Sequence, residues 1–167
     1  RLSRGLGDVY KRQGLKKAYI LLVLFLLLNF SSKSQQLQIA VELYQSQNYI
    51  QAINILEHLE ESDKQLFYLS KCYENISLEK SRDLKIYFIE NFKNSIFIDD
   101  IHSSLANIQY NSLEHSSCID NYLKISRELT QKERFQLAYS FFVLQEYDKS
   151  SLIFKKLMNE KSVYKPS

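Results

Sequence analysis

His115 and Cys118 stand one helical turn apart, and an imidazole and a thiolate at that spacing are ligands that zinc accepts. The chain has two further histidines, His58 and His102, and one further cysteine, Cys72. Two ligands do not complete a metal site, so His115 and Cys118 are expected to pack in the core instead. Cys72 and Cys118 would pair in an oxidising compartment only if their Cα atoms came within about 7 Å. Both fall on helical stretches far apart in sequence, and buried free thiols are the expectation. Glu60-Glu61 and Asp99-Asp100 are carboxylate pairs of the kind that general acid–base work draws on. The first reads as the end of a helix and the second as the start of one, where negative charge suits the dipole; both are expected to be solvated. No nucleophile–base pair, phosphate loop or metal motif occurs. Neither catalysis nor a cofactor is expected of this stretch.

The frame that would position these side chains is helical throughout. From Gln35 onward there is no glycine and a single proline, Pro166, and apolar residues recur at three- and four-residue spacing. Eight helices are predicted, over about 36–46, 49–61, 64–75, 79–92, 97–111, 115–128, 131–144 and 147–160. Ser62 with Gln65 and Thr130 with Glu133 read as capping boxes, in which each side chain satisfies an orphan amide of the first turn. Asn48 with Gln51 offers a third.

The segment ahead of these helices is different in kind. Ala18–Leu28, AYILLVLFLLL, follows Lys16-Lys17 and precedes SSKSQQ. A basic region, a short apolar run and small residues near a cut describe a secretory signal peptide over 14–34, cleaved before Gln35. An uncleaved anchor is the alternative, although the run is shorter than the roughly 20 residues a spanning helix needs. No cysteine follows closely, so lipid anchoring is not expected. Export to the periplasm or to the neighbourhood of an outer membrane is the expected localisation. Ser3–Gln13, SRGLGDVYKRQ, resembles the translation of a transposase adaptor used in sequencing libraries, and residues 1–13 are expected to be foreign to the protein. A fragment cut at its other end as well is then expected. Residues 1–13 carry four basic side chains and one acidic, and Lys16, Lys17 and Lys33 flank the run. The net +3 of the whole chain therefore belongs to its start, and the remainder is mildly acidic. Such a balance gives no reason to expect nucleic acid, whose partners carry basic patches.

Three of the helix pairs share one grammar. A large apolar residue precedes a small one in Ile39-Ala40, Leu105-Ala106 and Leu137-Ala138. Nine positions on stands a ring (Tyr49, His115, Tyr147), three later a small residue (Ala52, Cys118, Ser150), and four further a bulky one (Leu56, Tyr122, Phe154). The starts are 66 and 32 residues apart, a period near 33. Small residues let two helices cross closely while bulky ones fill the space between neighbouring pairs. The remaining pair, Phe67–Phe92, fits loosely, because SRDLKIYFIENF is read as lacking the small residue of a second helix. Over Gln35–Ser167 the pattern resembles the tetratricopeptide repeat (TPR), a helix–turn–helix unit of about 34 residues. The order IENFKNS, LTQKERFQLAYSFFVLQEYDKSSLIFKKL, YKPS is similar to the N-terminal part of long exported TPR proteins of Bacteroidota.

The resemblance implies an all-α solenoid of about four hairpins (36–61, 64–92, 97–128, 131–160), with a concave groove lined by first helices. On the family pattern that groove would carry Tyr44, Lys71, Asn107, Tyr110, Lys132 and Tyr139. For Tyr110 and Tyr139, packing between repeats is the competing role. The implied function is a non-catalytic scaffold that holds a protein or peptide. Two alternatives stay open: the sensory or targeting front of a larger enzyme, such as a membrane histidine kinase or a cell-wall hydrolase, and a component of an outer-membrane assembly or secretion machine.

Overall fold

The computed structural model describes residues 33–162, with side chains through Asn159. The adaptor-like stretch, the apolar run and Val163–Ser167 lie outside the described residues; Lys33 and Ser34, assigned above to the signal segment, open the first helix. Every described element is helical. They are α1 (33–45), α2 (Tyr49–Leu56), α3 (Asp63–Tyr73), α4 (Leu78–Asn91), α5 (Ile98–Asn111), α6 (His115–Tyr122), α7 (Gln131–Val143) and α8 (Tyr147–Ser162). The chain forms two compact units that meet in sequence at Leu59–Glu60. The first contains α1 and α2, whose rings Tyr44 and Tyr49 lie 6.0 Å apart across the turn. In the second, α3–α4, α5–α6 and α7–α8 are hairpins, α4 packs on α5 and α6 on α7, and α5 also meets α7. This is the TPR-like all-α solenoid that the spacing predicts.

One turn explains the register. The first helices α1, α5 and α7 end on Gln47, Leu113 and Gln145, with φ of 62°, 62° and 63°. The next amide reaches back five residues each time: Asn48 N–H to the Leu43 carbonyl (2.8 Å), Glu114 to Gln109 (2.9 Å), Glu146 to Phe141 (2.9 Å). The left-handed residue itself donates three back, to Tyr44, Tyr110 and Phe142. These paired bonds make a Schellman end, a position where glycine is favoured because it has no Cβ to clash. Leu113 sits there 76 % exposed, so its side chain returns little by burial. Leu113→Gly is expected to raise stability by about 0.5–1 kcal/mol, read as a higher urea midpoint at unchanged slope.

The α3–α4 turn is built differently from the one the shared spacing predicts. No residue of that turn has positive φ; Ile76 and Ser77 both donate to the Tyr73 carbonyl (3.1 and 2.8 Å). The link is one residue shorter. Small buried partners are twelve positions apart in Ala40–Ala52, Ala106–Cys118 and Ala138–Ser150, but eleven apart in Ser70–Ser81. Ser81 is the small residue that seemed to be missing from α4. It is fully buried, and its hydroxyl donates to the Ser70 carbonyl at 2.8 Å.

The caps follow the same mixture. Thr130 and Glu133 form the full capping box, and Ser62 accepts from Gln65 N–H at 3.2 Å. Asn48 occupies the cap position of α2 but its side chain makes no cap bond, contrary to expectation. Ser77 caps α4, accepting from Lys80 N–H at 3.4 Å. Helices α2 and α6 stop at Leu56 and Tyr122, five and six residues before the predicted ends. Behind α6 the amides of Ser126 and Arg127 are taken by the Asp99 carboxylate, each at 3.0 Å, which draws the chain off the helix axis. Asp99 is thus a loop anchor and not a merely solvated charge. Glu61, also expected to be solvated at a helix end, lies beyond α2 and accepts from the Tyr87 hydroxyl at 3.0 Å.

Candidate partner-binding site

First helices α3, α5 and α7 line a polar cleft of about 350 Å³, which gathers Lys71, Asn107 and Lys132 with Glu74, Glu133 and Gln136. Its walls are fastened by two carboxylates that grip adjacent serines of α5. Ser104 donates to Glu74, at the end of α3, and Ser103 donates to Glu133, in the first turn of α7. Each carboxylate is itself held. Glu133 accepts from Arg127 through both terminal nitrogens (2.7 and 2.9 Å) and from the Thr130 amide (2.7 Å). Arg127 above all, with Ser103 and Thr130, holds the Glu133 carboxyl far below the usual carboxylate range although burial acts the other way. Beneath it, the buried Tyr122 hydroxyl donates to Gln136, whose amide donates to Asn107 Oδ1 at 3.0 Å. Burial pushes the Tyr122 phenol up, so it remains a donor.

On the α3 side the cleft residue Glu74 is backed by a buried lysine. Lys85 of α4 occupies the place that Leu56, Tyr122 and Phe154 occupy in the other hairpins, and it is fully buried. Its three N–H bonds are satisfied by Ser81 Oγ (2.7 Å), Glu74 Oε1 (3.0 Å) and the Ser70 carbonyl (3.3 Å). Burial pulls the ammonium down to about 8, against the support of Glu74. For Glu74, burial acts upward, but Lys85 and Lys71 (3.2 Å) outweigh it and the carboxyl lies below its ordinary value.

Of the six groove residues named from the sequence, the cleft unites three: Lys71, Asn107 and Lys132. Tyr110 and Tyr139 form an edge-on pair at 5.8 Å, with the His115 ring about 6 Å from each. Those two tyrosines therefore join neighbouring hairpins. Tyr44 belongs to the first unit, beside Tyr49. The His115–Cys118 pair converges on Ser140: His115 Nδ1 lies 3.2 Å from its hydroxyl oxygen, and that hydroxyl donates to Cys118 Sγ at 3.5 Å. Cys118 and Cys72 are buried and unpaired with one another, and burial raises both thiols, Cys72 to about 11. Neither is a nucleophile in that state. Among the described residues no group of three or more His, Cys, Asp or Glu could hold a metal ion. No described helix is long and apolar enough to cross a membrane.

Sequence reasoning missed Lys85, Glu74 and the serine pair. Lys85 was hidden by the single-residue offset of its hairpin. The thirty-residue separations Ser103–Glu133 and Ser104–Glu74, close to the repeat period, were the legible signal.

No protein-family model and no curated protein matches this sequence. Solved structures do. Two are of MamA AMB-1, at TM-scores of 0.66 and 0.67 and identities of 13 % and 12 %; they cover 76 % and 78 % of this chain and 72 % and 79 % of theirs. A third, a crystal structure of MamA protein, aligns at 0.63 and 15 % over 79 % of this chain and 74 % of its own. At such identities the likeness is one of fold, and the fold it supports is the TPR-like helical solenoid.

Proposed function

We infer that the chain is an exported, non-catalytic scaffold that holds a protein or peptide partner in the cleft of its first helices. The observation that carries this reading is the cleft itself: Lys71, Asn107 and Lys132 are presented side by side on three rigid helices. Their supporting carboxylates are already locked by Ser103, Ser104 and Arg127, so the site enters binding with little left to order. Ammonium and amide groups on a fixed frame suit the backbone and polar side chains of an extended or helical segment, whereas no described cluster offers a reacting constellation. Export rests on the signal-like run Ala18–Leu28.

A randomised dodecapeptide library displayed on phage tests it. Selected peptides are expected to bind the parent chain and to lose roughly tenfold or more on Lys71→Glu combined with Lys132→Glu, about 1.4 kcal/mol or more. Enriched peptides that bind the double variant equally well would place the site elsewhere.

A further inference from the structure

A line of hydrogen bonds runs from the interior to the cleft wall, and it has a direction. It starts at Tyr122 of α6, 1 % exposed, whose hydroxyl donates to Gln136 Oε1 of α7. Gln136 is buried as well, and its Nε2 donates to Asn107 Oδ1 of α5 at 3.0 Å. Asn107 lines the cleft, and among the described residues no group accepts from its Nδ2. The line therefore ends on an amide with two unclaimed N–H donors at the cleft wall.

A side-chain amide can be seated either way round, and its hydrogen-bond network decides which. Turned over together, the two amides would still bond to one another, Asn107 Nδ2 to Gln136 Oε1, with Gln136 Nε2 donating to the Tyr122 oxygen. The phenol proton would then have no acceptor, because Gln136 is the one hydrogen-bond partner of that hydroxyl among the described residues. A buried donor left unmade costs the full loss of its hydration. Ionisation offers no escape, since burial pushes the phenol up. We propose that Tyr122 and Gln136 are positioning residues for partner recognition: together they keep Asn107 a donor, so that it receives a carbonyl oxygen of the docked segment and rejects a donor at that point. Both act through Asn107. This rests on docking in the Lys71–Asn107–Lys132 cleft and assigns the chemistry of one of its contacts.

Hydrogen exchange of side-chain amides, followed by NMR on the full chain without peptide, reads the direction itself. In the parent, the Asn107 side-chain protons are expected to exchange as an unhindered amide does. Gln136→Glu reverses the line at pH 7, because a carboxylate has no proton to give Asn107 Oδ1. Asn107 must then donate inward: one of its protons is expected to be protected about tenfold, and the phage-selected dodecapeptide to bind about tenfold more weakly. At pH 4 a neutral carboxyl again accepts from Tyr122 and donates to Asn107, so the protection and the binding defect are both expected to fade. Glu133, Lys132 and Arg127, the charged groups beside the line, are common to parent and variant, so the ratio between the two isolates the new carboxyl. Tyr122→Phe keeps the ring and removes the deciding proton. With the two directions then near equal, about half the molecules are competent and binding weakens about twofold, with partial protection of Asn107. Far-UV circular dichroism checks both folds, and Tyr122→Phe carries the test should the buried carboxyl not be accepted. Protected Asn107 protons in the parent overturn the proposal and leave docking in the cleft untouched. So does full affinity in Gln136→Glu while Lys71→Glu with Lys132→Glu weakens the peptide. A binding defect without protection of Asn107 is one of packing or charge and overturns it as well, as does an Asn107 left unprotected in Tyr122→Phe. If none of these variants weakens the peptide, docking in the cleft fails and this contact fails with it.

Discussion

Glu133→Ala is expected to lower stability by about 3 kcal/mol, the larger of the two main effects predicted here. The carboxylate caps α7 through the Thr130 amide, is forked by Arg127 and receives Ser103 from α5. Hydrogen bonds to a charged group contribute about 1.5–3 kcal/mol each when buried. Arg127 is partly in water, which keeps the loss toward the low end of the 3–5 kcal/mol seen when a buried pair is broken. The pH dependence has a definite sign. Glu133 is held below its unfolded value, so the folded state releases this proton more readily. Its contribution is fully present above the ordinary carboxylate range near 4.5 and is lost as the pH falls through and below it. Urea titrations at pH 7 and pH 3 are expected to show a large gap between parent and variant at the first and a smaller gap at the second. Equal gaps at both would mean that the loss is one of packing and not of charge.

Lys85→Met is the second, and it runs the other way. The position is apolar in two other hairpins, as Leu56 and Phe154, and nothing buried is orphaned by the change. Ser81 continues to donate to the Ser70 carbonyl, and Glu74 keeps Lys71 and Ser104. Replacing a buried charge by a side chain of similar volume removes its desolvation penalty, and a gain of about 1–2 kcal/mol at pH 7 is expected. In the parent, Lys85 titrates at about 8 when folded, against an ordinary value of 10.5. Between those values the unfolded chain holds the proton and the folded one does not, so parent stability climbs with pH there, by up to about 1.4 kcal/mol per unit. The advantage of the methionine variant should therefore shrink from pH 8 to pH 10. A variant markedly less stable than the parent at pH 7 would show that the Lys85–Glu74 network is a net stabiliser. Removing Glu74 alone is the opposite case, since it strands the ammonium.

How much of this was legible follows from the kind of signal each feature leaves. The period and the small–bulky grammar depend on side-chain volume, which the sequence states directly, and they led to three hairpins with Ala40, Ala106 and Ala138 fully buried. The fourth was blurred because its turn omits the left-handed residue that Gln47, Leu113 and Gln145 supply, and a one-residue deletion shifts every later position. With the shift applied, Ser81 and Lys85 fall into the grammar. Helix ends were over-extended for a different reason. Asp99 takes the Ser126 and Arg127 amides from 27 and 28 positions away, and no local pattern encodes such a bond. The lining of the cleft left a mixed signal. Lys71 and Asn107 follow from repeat position, but the paired serines that brace the cleft show themselves only through their partners thirty residues distant.

Partner docking on the first helices has a residue-level signature in solution. A selected dodecapeptide titrated into the isotope-labelled chain, with backbone amide shifts followed by NMR, tests it most directly. The largest movements are expected at Lys71, Ser104, Asn107 and Lys132, along α3, α5 and α7. Movements confined to α4, α6 and α8, with those four amides unmoved at saturation, would contradict it.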